Sequence, residues 1–194
     1  TKAQNAVVVG GGYIGIEAAE NLKEKGLNVT IVQRPNQLMN TLDYDMASFL
    51  HSKLRAKGIS LRLNSNVTSF RQDGECIVTL LEDNSEIAAD MVLLAIGVAP
   101  ENSLAKQAGL KLGVKGSIVV NDRMETSVQD IYAVGDAIQV KHFVTEEDTV
   151  IALAGPANKQ GRIAADNICG GDSHYQGSMG SSIIKIFDMT VAGT

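Results

Sequence analysis

The sequence has no tryptophan, only four tyrosines, four phenylalanines, three prolines and two cysteines in 194 residues. With so few rings, a core must be packed from Val, Ile, Leu and Ala, as where helices cover parallel strands. Few aromatics and a formal net charge of −5 leave little with which to stack bases or neutralise phosphates, so nucleic acid is not an expected partner. Cys76 and Cys169 are far apart, with no C-x-x-C pair and no histidine at ligand spacing. A metal site or disulfide framework is therefore not expected, and a reducing, cytoplasmic setting suits the chain better. No apolar run exceeds the stretch around Met91 to Pro100, about half of what a membrane span needs, and no signal peptide is visible.

What is there is a chain 44% hydrophobic, at the border between one domain and two. Ala6–Val9 is a short β-branched run that predicts a fully buried strand. Tyr13 to Lys25 predicts a helix with Ile14, Ala18 and Leu22 on its apolar face and Gly26 just past its end. Asn28 to Gln33 predicts a second strand. A second helix is expected from Asp43 as N-cap to Lys57, with Met46, Leu50 and Leu54 inward, and then a third strand, "ISLRL". This β-α-β-α-β order implies three adjacent parallel strands with right-handed crossovers. Asn66 to Asp90 instead alternates with period two around Asp73-Gly74 and Asp83-Asn84, the pattern of an antiparallel meander. "MVLLAIG" should rejoin the parallel sheet, Glu101–Ala108 should form a short helix, and Ser117–Val120 and Ile131–Val134 should be short strands. The fold class expected is α/β, a Rossmann-like parallel sheet carrying an antiparallel β-meander.

Gly10, Gly12 and Gly15 fit G-x-G-x-x-G between a buried strand and a helix, the context in which that spacing has a mechanism. Gly10 allows the tight turn, Gly12 lets a pyrophosphate approach the backbone, and Gly15 lets helix and strand pack closely. The helix N-terminus then offers N–H groups and partial positive charge to phosphate. At the end of the second strand, where a carboxylate would take the adenosine ribose, stand Gln33 and Arg34. Gln33 can hydrogen-bond a hydroxyl and Arg34 can meet a 2′-phosphate or simply be solvated, so NADH and NADPH both stay open. Further on, Gly135-Asp136 places a carboxylate suited to sugar or ribityl hydroxyls, and Gly155-Pro156 opens a helix with Ile163, Ala164 and Ile168 as a partial apolar face.

G-G-G-Y-I-G-x-E at Gly10–Glu17, A-I-G-V-A-P at Ala95–Pro100 and T-S-x-x-x-I-Y-A-x-G-D at Thr126–Asp136 resemble the pyridine nucleotide-disulfide oxidoreductases. A-G-P-A-N-K-Q-G-R at Ala154–Arg162 and S-S-I-I-K-I-F-D at Ser181–Asp188 are similar to the branch of coenzyme A disulfide reductases and NADH oxidases and peroxidases. The resemblance implies a glutathione reductase-like, FAD/NAD(P)-binding fold. It implies that Gly10, Gly12 and Gly15, with Gly11 and Ile14 in the same turn, hold NAD or NADP. Tyr13 would gate or stack at the nicotinamide side, Glu17 would lie near the carboxamide, and Ile96, Gly97 and Val98 would line the other side. Asp136, following Gly135, would bind the FAD ribityl chain, and Leu153 and Ala154 would face the isoalloxazine.

The resemblance further implies a piece of a longer flavoprotein: an NAD(P)-binding domain at 1–114, the C-terminal part of an FAD-binding domain at 115–180, and the start of a missing dimerisation domain at 181–194. The parent would be a homodimer passing hydride from NAD(P)H through FAD to a small-molecule disulfide, oxygen or peroxide. Its redox cysteine would lie outside these residues, so the chain should bind dinucleotide without turnover and hold no catalytic residue. Cys76 and Cys169 read as structural, and His51, His142 and His174 as surface or loop residues. The rival readings are a non-catalytic NAD-responsive module and a ferredoxin or nitrite reductase-type flavoprotein. A Rossmann methyltransferase fits less well, since it explains neither Gly135-Asp136 nor the meander.

Overall fold

A computed structural model describes residues 2–194 of the chain. Two compact units divide it: one runs to Gly97 and takes in Ile183–Gly193, the other is built from Val98–Ser182.

The first unit opens with β1 (Asn5–Val9), α1 (Tyr13–Glu24), β2 (Asn28–Val32), α2 (Tyr44–Ala56) and β3 (Ser60–Arg62). A meander of β4 (Val67–Asp73), β5 (Cys76–Leu81) and β6 (Glu86–Ala89) follows, then β7 (Met91–Leu94). The parallel sheet has the order β3-β2-β1-β7, so the expected three adjacent strands form and "MVLL" joins them beside β1. The reason β1 is an unbroken apolar run is visible in its two faces. Ala6 and Val8 pack with Ile16, Ala19, Leu50 and Leu54 of the helices. Val7 and Val9 pack with Leu81, Ala89 and Ile87 of the meander. A strand covered on both sides gains nothing from alternation.

The meander pairs antiparallel in the order β4-β5-β6, and Gly74, at φ +60°, makes the β4–β5 turn. β8 (Val140–Lys141) and β9 (Asp148–Thr149) belong to the second unit, and the first also contains the hairpin of β10 (Ser182–Ile186) and β11 (Met189–Gly193). Ile184 and Ile186 are buried in the same cluster as the helices.

Leu50 and Leu54 of α2 are buried as expected, but Ile14 of α1 and Met46 of α2 are not. On α1 the buried residues are Gly15, Ile16 and Ala19, while Ile14 is 63% exposed. On α2 they are Ala47, Leu50, His51 and Leu54, while Met46 is 55% exposed. Met46 lies on the flank of the buried stripe of α2, whereas Ile14 lies on the side of α1 opposite Gly15, Ile16 and Ala19.

The second unit is largely irregular. It holds α3 (Ser103–Gln107), β8 (Val140–Lys141), β9 (Asp148–Thr149) and α4 (Ala154–Ile168) around Met124, Ile138, Val140 and Ala164. The strands expected at Ser117–Val120 and Ile131–Val134 are reduced to single bridges, Ile118 with Leu112 and Ile138, and Tyr132 with Glu125. Ile131 and Val134 are more than a third exposed, because no partner strand covers them. The inward stripe of α4 is Gln160, Ala164 and Asn167, and Ile168 is 62% exposed. Among the described residues no helix is long and apolar enough to cross a membrane.

Candidate functional site

The site of the first unit is built where β1 hands over to α1. Gly10 takes φ +108° and its N–H donates to the Val32 carbonyl at 2.8 Å; a Cβ there would collide with the Ala95 carbonyl. Gly15 abuts the same turn, since a Cβ on it would overlap the Gly10 carbonyl oxygen. Gly12 differs from both. It is the N-cap of α1 in extended backbone (φ −85°, ψ −170°), and a Cβ built on it meets nothing within 4 Å. Its glycine therefore serves neither backbone conformation nor internal packing. The bare backbone faces a cleft of about 650 Å³.

No side chain caps α1 and its first turn has no acidic residue. First-turn N–H groups such as those of Ile14 and Gly15 have no acceptor within the helix, and the dipole adds partial positive charge there. Open space at Gly12, uncapped donors and a polarised helix end together fit a diphosphate, and the cleft is large enough for the two nucleosides beyond it.

Gly10, Gly11, Gly12, Tyr13, Gln33, Arg34, Ile96 and Gly97 all line this cleft. Ile14, Gly15 and Glu17 do not, and Val98 falls in the second unit. Tyr13 packs partly into the core, with its hydroxyl 3.5 Å from Thr41 Oγ1. Gln33 is tied inward: its Oε1 accepts the Gly11 N–H at 2.8 Å and its Nε2 donates to the Gln37 carbonyl at 3.2 Å. Arg34 is exposed, and no ion pair involves it among the described residues.

Two residues that sequence reading missed shape the rim. Gln37 Nε2 donates to the Leu42 carbonyl at 2.8 Å, pinning the segment after β2. His51, expected at the surface, is 4% exposed on α2, and its Nε2 accepts the Leu38 N–H at 3.1 Å. The signal was its place between Leu50 and Leu54 on the buried stripe. Burial first, and then the nearby Arg55 charge, lower the pKa of His51. A neutral ring accepts this bond and an imidazolium cannot, so the folded state binds the proton less readily than the unfolded chain. Stability from this contact is complete above the unfolded value of about 6.5 and is lost as pH falls through the lower folded value. The urea midpoint should accordingly drop between about pH 7.5 and about pH 5.5. His51→Gln, which can accept the Leu38 N–H without titrating, should flatten that slope; an undiminished slope in the variant would place the acid sensitivity elsewhere. His174 works in the opposite sense: hydrogen bonding to Asp122, with Asp172 adding to it, raises its pKa, so its contribution is present at low pH and fades as pH rises.

In the second unit Gly135, at φ +79°, donates its N–H to Gln160 Oε1 at 2.8 Å. Gln160 is 1% exposed and locks the Gly135–Ala137 turn to α4. Asp136 projects from that turn exposed, without an ion pair among the described residues. Leu153 is the N-cap of α4, and Ala154 opens the helix with no side-chain cap. An unpaired carboxylate beside an uncapped helix start suits a polyhydroxyl chain and an electron-rich ring. Cys76 is partly buried and Cys169 exposed, both free thiols. Among the described residues no group of three or more His, Cys, Asp or Glu could hold a metal.

Residues 1–161 match the family described as pyridine nucleotide-disulphide oxidoreductase. Over 194 residues the chain is 36% identical to the NAD(P)H coenzyme A polysulfide/persulfide reductase of Pyrococcus horikoshii, covering all of this chain and 43% of that protein. It is 31% identical over 192 residues to the coenzyme A disulfide reductase of Staphylococcus aureus strain JH9, covering 98% of this chain and 43% of that one. The structure of reduced Bacillus anthracis CoADR-RHD superposes with a TM-score of 0.94 at 50% identity, over 98% of this chain and 34% of that chain. The chain thus spans less than half the length of these relatives.

Proposed function

Because this chain belongs to the pyridine nucleotide-disulphide oxidoreductase family, we propose that it is the NAD(P)H-binding part of a flavin-dependent oxidoreductase, together with a portion of the FAD site. The whole protein would pass hydride from NAD(P)H through FAD to a small-molecule disulfide of the coenzyme A type, or to oxygen or peroxide. The observation that carries this reading is Gly12: a helix N-cap with no internal need for glycine, opening onto the cleft.

Each residue then has a physical task. Backbone N–H groups at Gly12 and the start of α1 bind the diphosphate, and Gly10 and Gly15 let strand, turn and helix close up behind it. Gln33 holds the glycine turn in place through Gly11. Tyr13, Ile96 and Gly97 border the nicotinamide end, where apolar walls exclude water. When bound, the nicotinamide supplies hydride and the flavin relays its electrons. Asp136 accepts hydrogen bonds from ribityl hydroxyls, and the α4 N-terminus, at Leu153 and Ala154, steadies negative charge on the ring. Ile14 belongs to the first turn of α1, and on this reading Glu17 meets the nicotinamide carboxamide and Val98 continues the Ile96–Gly97 side. The second unit contributes the C-terminal part of the FAD site, and the isolated chain binds dinucleotide without turning over.

The test is Gly12→Val. Valine adopts the Gly12 backbone angles but fills the space a pyrophosphate needs, so the variant should fold while NAD(P)H affinity falls at least about a hundredfold. Unchanged affinity by calorimetry in a folded Gly12→Val protein would reject this binding mode.

A further inference from the structure

We propose that the cleft takes NADPH in preference to NADH, with Arg34 closing on the 2′-phosphate of the adenosine ribose, an inference that rests on the cleft being a dinucleotide site. A site that selects NADH sets a carboxylate at the end of the second strand, where it accepts from the free ribose diol and repels a phosphate. The residue following β2 here is Gln33, and both ends of its amide are already engaged. Its Oε1 takes the Gly11 N–H at 2.8 Å and its Nε2 gives to the Gln37 carbonyl at 3.2 Å. Gln37 is itself anchored to the Leu42 carbonyl at 2.8 Å, so Gln33 is held toward the glycine turn and away from a ribose.

Arg34 is the next residue, and among the described residues that line the cleft it alone is charged. No aspartate or glutamate lines the cleft to receive a diol, and none among the described residues pairs with Arg34. Its surroundings are neutral and polar. The Ser65 N–H donates to the Gln33 carbonyl and the Asn64 N–H to the Pro35 carbonyl, both at 3.0 Å, which brings Ser65 and Asn66 onto the same wall. A guanidinium without a carboxylate partner gives up little when a dianion arrives, and its fork matches phosphate oxygens in pairs. The diol of NADH finds no charged acceptor in the same place.

The experiment is calorimetry of this chain with NADPH and NADH, and with the fragments 2′,5′-ADP and ADP, in the wild type, Arg34→Ala, Arg34→Lys and Gly12→Val. The expected result is NADPH at least about tenfold tighter than NADH, as for a charge-assisted contact, with the same ratio between the two fragments. The ratio should fall at least about tenfold in Arg34→Ala, be partly kept in Arg34→Lys, and shrink as salt is added. Equal affinities that Gly12→Val abolishes, or a preference that survives Arg34→Ala in a folded protein, would overturn the proposal while leaving the dinucleotide reading standing. Failure of every nucleotide to bind the wild type would overturn both.

Discussion

Gly15→Ala is expected to destabilise the first unit by about 3 kcal/mol or more in urea unfolding, although it adds one methyl group. That methyl would overlap the carbonyl oxygen of Gly10 and lie 3.4 Å from the Ala95 Cβ. Neither can yield cheaply. Gly10 is fixed by its positive φ and by its bond to the Val32 carbonyl, and Ala95 N–H is bonded to the Val9 carbonyl at 2.7 Å. The helix would have to lift from the sheet, opening the contacts of Ile16 and Ala19 with Ala6 and Val8. Gly12→Ala, three residues earlier, meets nothing within 4 Å and should change stability by no more than about 1 kcal/mol. The pair separates a glycine that packing requires from one that packing does not require in the same motif. A Gly15→Ala protein as stable as Gly12→Ala would show that α1 does not sit on the turn as described.

Asn167→Leu is the second large effect, an expected loss of about 2–4 kcal/mol despite the same branched shape and greater hydrophobicity. Asn167 is 5% exposed in the inward stripe of α4. Its Nδ2 donates to the Arg123 carbonyl at 3.0 Å and to the Ser173 carbonyl at 2.9 Å, and its Oδ1 accepts the Ser173 N–H at 2.9 Å. Three backbone groups of two irregular segments are thereby satisfied by one side chain. Leucine would fill the space and strand all three, the costlier half of the hydrogen-bond balance. Asn167→Asp, which keeps the acceptor but faces two carbonyls with an anion, should fare no better. If Asn167→Leu unfolds at the wild-type urea midpoint, the loops around Arg123 and Ser173 are held by something other than this amide.

The residues that sequence reading misjudged or passed over share a cause. His51, Gln160 and Asn167 are polar groups on buried helix stripes, each bonded to backbone outside its own helix: Leu38, Gly135, and Arg123 with Ser173. A periodicity search scores them as outward because it knows their polarity and not their partners. Ile14, Met46 and Ile168 err the other way, apolar residues left more than half exposed: Met46 and Ile168 flank the buried stripes of their helices and Ile14 lies opposite that of α1. The segments Ser117–Val120 and Ile131–Val134 have strand-like composition but form only bridges, since a strand exists only where another pairs with it.

By itself the sequence determined the β-α-β order and the meander, because period, turn residues and connection lengths are read from neighbours along the chain. Tertiary structure alone decided which helix faces are buried, that Gln33 turns inward, and that Arg34 is left as the charged group on the cleft wall. Those outcomes depend on hydrogen-bond partners and packing layers brought together from far along the chain, and no local pattern encodes the meeting.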